Sequence, residues 1–124
     1  MNREEIIKLT DEVLKSVPDT RKRIKLIDVA LKKDSYDMGT IEKLKQERQR
    51  LHKELSRTID IISTLDDENQ RIICYRYFDK LSYKDIALRV GLSSESIPRR
   101  VKKSMLNIGR IMFGMEEEFW INFQ

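Results

Sequence analysis

The sequence holds four glycines, two prolines, one cysteine and one histidine. No glycine or proline lies between Gly39 and Gly91. So few turn-formers exclude an all-β or loop-rich fold, which needs many tight connections. Cys74 alone can close no internal disulfide and hold no metal. Within the apolar run IICYRYF it reads as a small core residue, and a chain without disulfides suits a reducing, cytoplasmic setting. His52, in the polar part of a long charged stretch, reads as solvated. With no second histidine, no Cys/His cluster and no glycine-rich phosphate loop, the sequence predicts no enzyme, no cofactor and no metal site. The N-terminal MNREEIIKLTDEVLK has no apolar run of signal-peptide length, and no segment is long enough to span a membrane.

What is present is charge and apolar periodicity. At 124 residues the chain is one domain, or one domain with a helical extension. Charged residues make up 37 %, which suits long solvated helices. A net charge of +4 does not by itself announce a nucleic-acid partner. Its distribution is more informative. Residues 96–110 carry Arg99, Arg100, Lys102, Lys103 and Arg110 with no acid among them. Such a run is either a solvated helix face or an anion-binding one.

The pattern predicts an all-α fold. Residues 3–16 place Ile6, Ile7, Leu9, Val13 and Leu14 at helical spacing. Pro18 is expected to end that helix, with Asp19 or Thr20 capping a second that buries Ile24, Ile27 and Leu31. DSYDMGT, 34–40, reads as a loop punctuated by Gly39. From Thr40 to about Leu65 a long helix repeats apolar residues every seven: Ile41, Leu44, Leu51, Leu55, Ile62 and Leu65. That coiled-coil-like seam needs a partner helix. Either the first two helices fold back on it, or the same 41–65 helix of a second copy forms a homodimer. Residues 1–63 are thus expected to form a helical hairpin, bundle or dimerisation region, and residues 64–124 a second unit.

In the second unit Asp66, Asp67 and Glu68 open a fourth helix, where negative charge suits the N-terminal dipole. Ser82 with Asp85 three residues on gives a capping signal for a fifth helix, and Gly91 stops it. A sixth begins within SSESIP and runs through Val101, Met105 and Ile108 towards Phe113. The tail GMEEEFWINFQ joins three glutamates to an aromatic cluster. It is expected to dock on its own core, or else to offer a surface to another protein.

Segment 83–105 has the physics of a helix-turn-helix. Ile86, Ala87 and Val90 form the inner face of its first helix, and small Ala87 permits a close helix crossing. Gly91 supplies the positive φ of a sharp turn and Leu92 plugs the core there. Ile97, Val101 and Met105 give the second helix an inner stripe. Glu95, Ser96, Arg99, Arg100, Lys102 and Lys103 are left for the outside. An exposed cationic helix beside a buried one is what major-groove docking requires. The cations would neutralise phosphates, and one or two could reach guanine edges.

These residues carry a resemblance. Arg71-Ile72-Ile73, Tyr75-Arg76-Tyr77-Phe78, Leu81-Ser82-Tyr83-Lys84-Asp85-Ile86-Ala87, Val90-Gly91-Leu92-Ser93 and Ser96-Ile97 with Arg100 resemble region 4 of the sigma-70 family over about residues 64–112. The resemblance implies a sigma-region-4-like helix-turn-helix bundle that binds double-stranded DNA at promoters and contacts RNA polymerase. In that family the recognition helix reads the promoter −35 element from its first turns. By position Glu95 matches an acidic residue used on a base edge. Ser94 and Pro98 stand where primary sigma factors carry arginines, and Arg99 where they carry glutamine. The docking mode is therefore expected to transfer, and the −35 consensus is not. Ser82 and Lys84 fall where the family touches phosphate, and Arg71 is a second phosphate candidate. No sigma region 2 is recognisable in the residues upstream of the motif. A short chain of this architecture resembles the phage-encoded late-gene activators of Gram-positive bacteria, the autolysin-regulator (ArpU-type) and RinA-type proteins.

Pro98 constrains the recognition helix. Five residues into a regular helix it would cost about 3 kcal/mol through a lost hydrogen bond and a ring clash. In the first turn its missing N–H costs nothing, because that donor has no helical partner. The helix is therefore expected to start late, near Ser96, leaving Ser94 and Glu95 in the turn and Arg99, Arg100 and Lys103 at the leading edge. Three functions fit the sequence. The first is a sequence-specific DNA-binding transcription regulator of a phage or prophage. The second is a small-terminase-like phage DNA-packaging protein, which would form a ring. The third is an RNA polymerase-binding module with little DNA affinity, which would leave the cationic helix without a purpose.

Overall fold

The computed structural model describes residues 1–33 and 35–123, apart from the side chain of Phe123. The described residues form six helices and no strand: α1 (Arg3–Leu31), α2 (Met38–Ile62), α3 (Asp67–Tyr77), α4 (Tyr83–Val90), α5 (Ser96–Phe113) and α6 (Glu117–Phe123). The all-α expectation holds, with a helical hairpin followed by a helix-turn-helix.

The first correction concerns Pro18. It does not end a helix: α1 runs unbroken through it for 29 residues. The expected cap at Asp19 or Thr20 is absent, and both residues are helical. The local penalty is about 3 kcal/mol. Against it stand Leu14, Val17 and Ile24, all buried on one continuous stripe, each contributing roughly 1.5–3 kcal/mol. Packing across the proline therefore outweighs the break it would otherwise cause.

The second correction concerns the loop. Asp34 lies outside the described residues, but Gly39 is not loop punctuation. It is the second residue of α2, behind an N-cap at Asp37 whose Oδ1 accepts the Thr40 N–H at 2.7 Å. In a first helical turn, where the backbone donors are unpaired anyway, glycine costs little.

α1 and α2 form an antiparallel hairpin. Asp28 pairs with Arg48, while Val13 and Val17 share a groove with Leu55 and Thr58. The α2 seam lies along α1 of the same chain, with Leu51, Thr58, Ile61 and Ile62 buried. The hairpin and the helix-turn-helix share one core. Leu14 belongs to the same cluster as Ile72, Ile73, Tyr77, Ile86, Ile97, Val101 and Ile108. α5 touches all four preceding helices and is the central strut of the molecule.

The closest crossing is between α1 and α5. A Cβ at Gly109 would fall well inside contact distance of Thr10 Oγ1 and Ile6 Cγ2. Thr10 is fully buried there, its hydroxyl donating to the Ile6 carbonyl at 2.7 Å. Glycine at 109 lets the two backbones approach, and an internal hydrogen bond removes the cost of burying the hydroxyl.

Candidate nucleic-acid interface

Three local devices shape α3, α4 and α5. Asp66 caps α3, its Oδ1 accepting the Asn69 N–H at 2.8 Å. Ser82 caps α4, its Oγ accepting the Asp85 N–H at 3.1 Å, as the S-x-x-D spacing requires. Gly91 ends α4 at φ 73°, ψ 33°, and the N–H groups of Gly91 and Leu92 both reach the Ala87 carbonyl. That left-handed closure sets up the sharp turn into α5.

α5 begins at Ser96, so Pro98 is its third residue and sits in the first turn. Ser94 and Glu95 are exposed turn residues. Ser96 donates from its backbone N–H and from Oγ to the Ser93 carbonyl, at 3.2 and 2.8 Å. No side chain caps the helix. The Ser93 carbonyl thus tightens the turn, and Pro98 forfeits no helical bond.

Ile97, Val101, Ser104, Met105, Ile108 and Gly109 are the buried face of α5. At roughly 100° per residue, Arg99 and Lys103 point to the opposite side. Both are exposed. Arg71, Lys84 and Lys102 are exposed as well, and none of these five cations makes an ion pair or ring contact among the described residues. Other cations of the region are engaged. Arg76 lies 4.0 Å over the Tyr83 ring and donates to the Leu81 carbonyl, and Arg89 lies 5.3 Å over Tyr75. Arg110 is bound to Glu116.

Arg100 departs from the outward placement expected of it. It is half-buried and pairs with Glu68 of α3 at 2.6 Å. One helical step past Arg99 turns it towards the start of α3, where Glu68 is available. Ser96 is likewise half-buried rather than outside. The sequence missed Glu68 as a partner. Its position in the first turn of α3 explained it fully as a dipole contact, so nothing pointed further.

α1 flanks the recognition helix, which the sequence did not reveal. A cleft of about 600 Å³ is bordered by Glu4, Lys8 and Asp11 of α1, Tyr83 of α4, and Pro98 and Lys102 of α5. Tyr77 donates its hydroxyl to Asp11 at 2.8 Å beneath it. Burial pushes the Asp11 carboxyl up, but hydrogen bonds from Lys15 and Tyr77, with the charges of Lys15 and Arg76, hold it below its usual range. Burial, then the Asp11 bond, push the Tyr77 hydroxyl well above its usual range. Asp11 therefore stays ionised and Tyr77 stays a donor near neutral pH. The one available signal was the length of the α5 stripe, which continues through Ile108 to Met112, further than a three-helix unit needs.

The tail docks through Glu116, with half-buried Phe119 lying 5.8 Å from the Arg110 guanidinium. Glu116 is 2 % exposed and takes hydrogen bonds from Arg110, with Arg3 of α1 at 3.3 Å. The hydrogen bonds from Arg110 hold its carboxyl down to about 2. Trp120 and Ile121 remain 49 % and 71 % exposed. The root of the tail is thus held on the fold by the ion pairs of buried Glu116 and by Phe119 against Arg110. Cys74 is also less enclosed than expected, half-buried on the flank of α3. Burial raises its thiol above the usual value.

Residues 61–108 match the family model of sigma-70, region 4. This segment, less than half of the chain, is a sigma-70 region 4-like helix-turn-helix, a DNA-binding unit with a regulatory role. No curated protein and no solved structure matches the chain. No helix among the described residues is long and apolar enough to cross a membrane.

Proposed function

We propose that the protein is a sequence-specific, duplex-DNA-binding transcription regulator of a phage or prophage, cytoplasmic and acting at promoters together with RNA polymerase. The observation that carries this reading is the set of exposed, unpaired cations on one helix-turn-helix: Arg99, Lys102 and Lys103 on α5, with Lys84 at the start of α4. α5 would lie in the major groove, with Arg99 and Lys103 towards base edges. Ser94, Glu95 and Ser96, at the turn, would meet the groove's edge. Ser82, Lys84 and Arg71 would hold phosphates, and Lys102 the phosphates on the α1 side. Arg100 acts as a positioning residue, holding α5 to α3 through Glu68. Residues 1–63 supply the helical support and residues 64–124 the DNA-binding part with its tail.

The test is selection of bound sequences from a random duplex pool at near-physiological salt, with an Arg99→Ala, Lys103→Ala variant alongside. The wild type is expected to enrich a motif and the variant to lose it. Binding without enrichment, fading steeply with salt in both proteins alike, would reduce α5 to an electrostatic hold and remove the sequence-reading claim.

A further inference from the structure

The outer half of α1 carries a stripe that neither the core nor the DNA-binding face uses. Lys22, Lys25, Leu26, Val29, Lys32 and Lys33 recur at helical spacing, and all are exposed. Leu26 is 69 % and Val29 54 % exposed, too much for side chains sealed against α2. The four lysines make no ion pair among the described residues. Asp28, the one acid between Thr20 and Lys33, turns instead to Arg48 of α2. The result is a basic surface with an apolar centre.

The opposite surface exists on the same molecule. From Met115 to Phe123 there is no cation. α6 leaves Glu117 and Glu118 exposed beside exposed Trp120 and Ile121. It is an acidic segment with an apolar side, complementary in both respects to the α1 stripe.

One copy cannot join the two. Buried Glu116, paired with exposed Arg3 and with Arg110, pins the root of the tail to the N-terminal end of α1. α1 places roughly 30 Å between Arg3 and Lys22. The five residues from Glu116 to Ile121 span at most about 17 Å even when extended. The tail therefore reaches a stripe only on another molecule. We infer that the protein self-associates by reciprocal exchange, α6 of each copy lying on the Lys22–Lys33 stripe of its partner. Reciprocity makes two identical contacts about a two-fold axis and closes the assembly at a dimer. Apolar contact supplies the holding surface, and opposite charge fixes which faces meet. This surface is distinct from the α2 seam, which α1 already covers.

Sedimentation equilibrium of the full chain without DNA tests this, whatever the outcome of the DNA selection. The wild type is expected to be a dimer. A stripe swap, Lys22→Glu with Lys25→Glu, and a tail swap, Glu117→Lys with Glu118→Lys, should each weaken association at least about tenfold. The two swaps combined in one chain should restore it. All four positions are exposed, so thermal unfolding of each variant should stay close to wild type. A wild type monomeric at its highest soluble concentration would overturn the inference. So would a dimer indifferent to both swaps. Loss of DNA affinity in the stripe swap with association unchanged would overturn it too, and assign the lysines to phosphate.

Discussion

The two halves of α1 face different demands. Its first half, from Ile6 to Val17, is built into the helix-turn-helix: Ile6, Thr10 and Leu14 are fully buried, and Thr10 meets Gly109 of α5 where no side chain would fit. Its second half packs mainly on α2, with Arg21 reaching 5.0 Å over the Phe78 ring at the end of α3. There only Ile24 is buried, while Leu26 and Val29 are exposed, as is Met38 at the start of α2. One helix of uniform texture thus serves as a core element at one end and a free surface at the other. The difference lies in what it crosses. α5, which touches every neighbouring helix, buries the first half, and its last residues Met112 and Phe113 reach no further than the groove that Thr20 borders. Its position decides which apolar residues become core.

Core truncations should separate the halves most sharply. Leu14→Ala is expected to lower stability by about 3–4 kcal/mol, since it opens a cavity in a cluster drawn from four other helices. Met38→Ala, at 85 % exposure, should stay within about 0.5 kcal/mol of wild type. Urea unfolding of both variants checks this, with equal slopes in denaturant expected. Equal losses at the two positions would mean that the outer hairpin is as tightly packed as the base.

Next comes the crossing itself. Gly109→Ala gains about 1 kcal/mol of helix propensity. It also drives a Cβ into Thr10 and Ile6, and overpacking of this kind costs about 1–3 kcal/mol. A net loss of up to about 2 kcal/mol is expected. Thr10→Ala removes the nearest atom, so the double variant should recover about 1 kcal/mol in a double-mutant cycle. A fully additive cycle would show that α1 and α5 do not press on each other at this point.

The tail latch adds a pH-dependent contribution. Glu116 titrates near 2 in the folded protein against an ordinary 4.5. A depressed carboxylate stabilises fully above its ordinary value, and the contribution is lost as pH falls from about 4.5 towards 2. Trp120, the only tryptophan, stands four residues from the latch. Its fluorescence is expected to change over that acid range before the global unfolding signal does. Glu116→Gln, which holds no charge, should abolish the transition. A Trp120 signal that moves only with global unfolding in both proteins would show that the latch does not set the tail.

Much of this organisation was legible in the residues. Ser82-x-x-Asp85, Gly91 and the Ile97–Val101–Met105 stripe determine their geometry locally, because caps, a left-handed glycine and helical periodicity depend on neighbours in the chain. Pro98 was legible for the same reason: its backbone chemistry fits the first turn of a helix and little else. What was not legible depended on distant partners. Pro18 signals a break unless one knows that Leu14 and Ile24 are both buried on its two sides. Arg100 resembles Arg99 in sequence, and only the position of Glu68 on α3 separates an engaged arginine from a free one. Glu116 looked like its neighbours Glu117 and Glu118, yet it alone meets Arg110 and Arg3.

The smallest expected effect concerns the α3–α4 connection, within the well-packed region. Lys80 is the one non-glycine among the described residues with positive φ, at 54°. The left-handed region costs an ordinary residue about 1 kcal/mol or more. The donation from Arg76 to the Leu81 carbonyl at 3.1 Å holds the chain there. Lys80→Gly removes the steric cost but widens the unfolded ensemble, which returns about 0.5–1 kcal/mol. Lys80→Asn tolerates the same backbone without that entropic loss. Asn is therefore expected to raise stability by about 0.5 kcal/mol and Gly by less, while β-branched Lys80→Val should lower it by about 1 kcal/mol. The order Asn, Gly, Lys, Val in thermal midpoint would show that packing in this half is firm enough to hold a strained residue in place. A flat series would show that the connection relaxes at no cost, and that the firm region ends at α3.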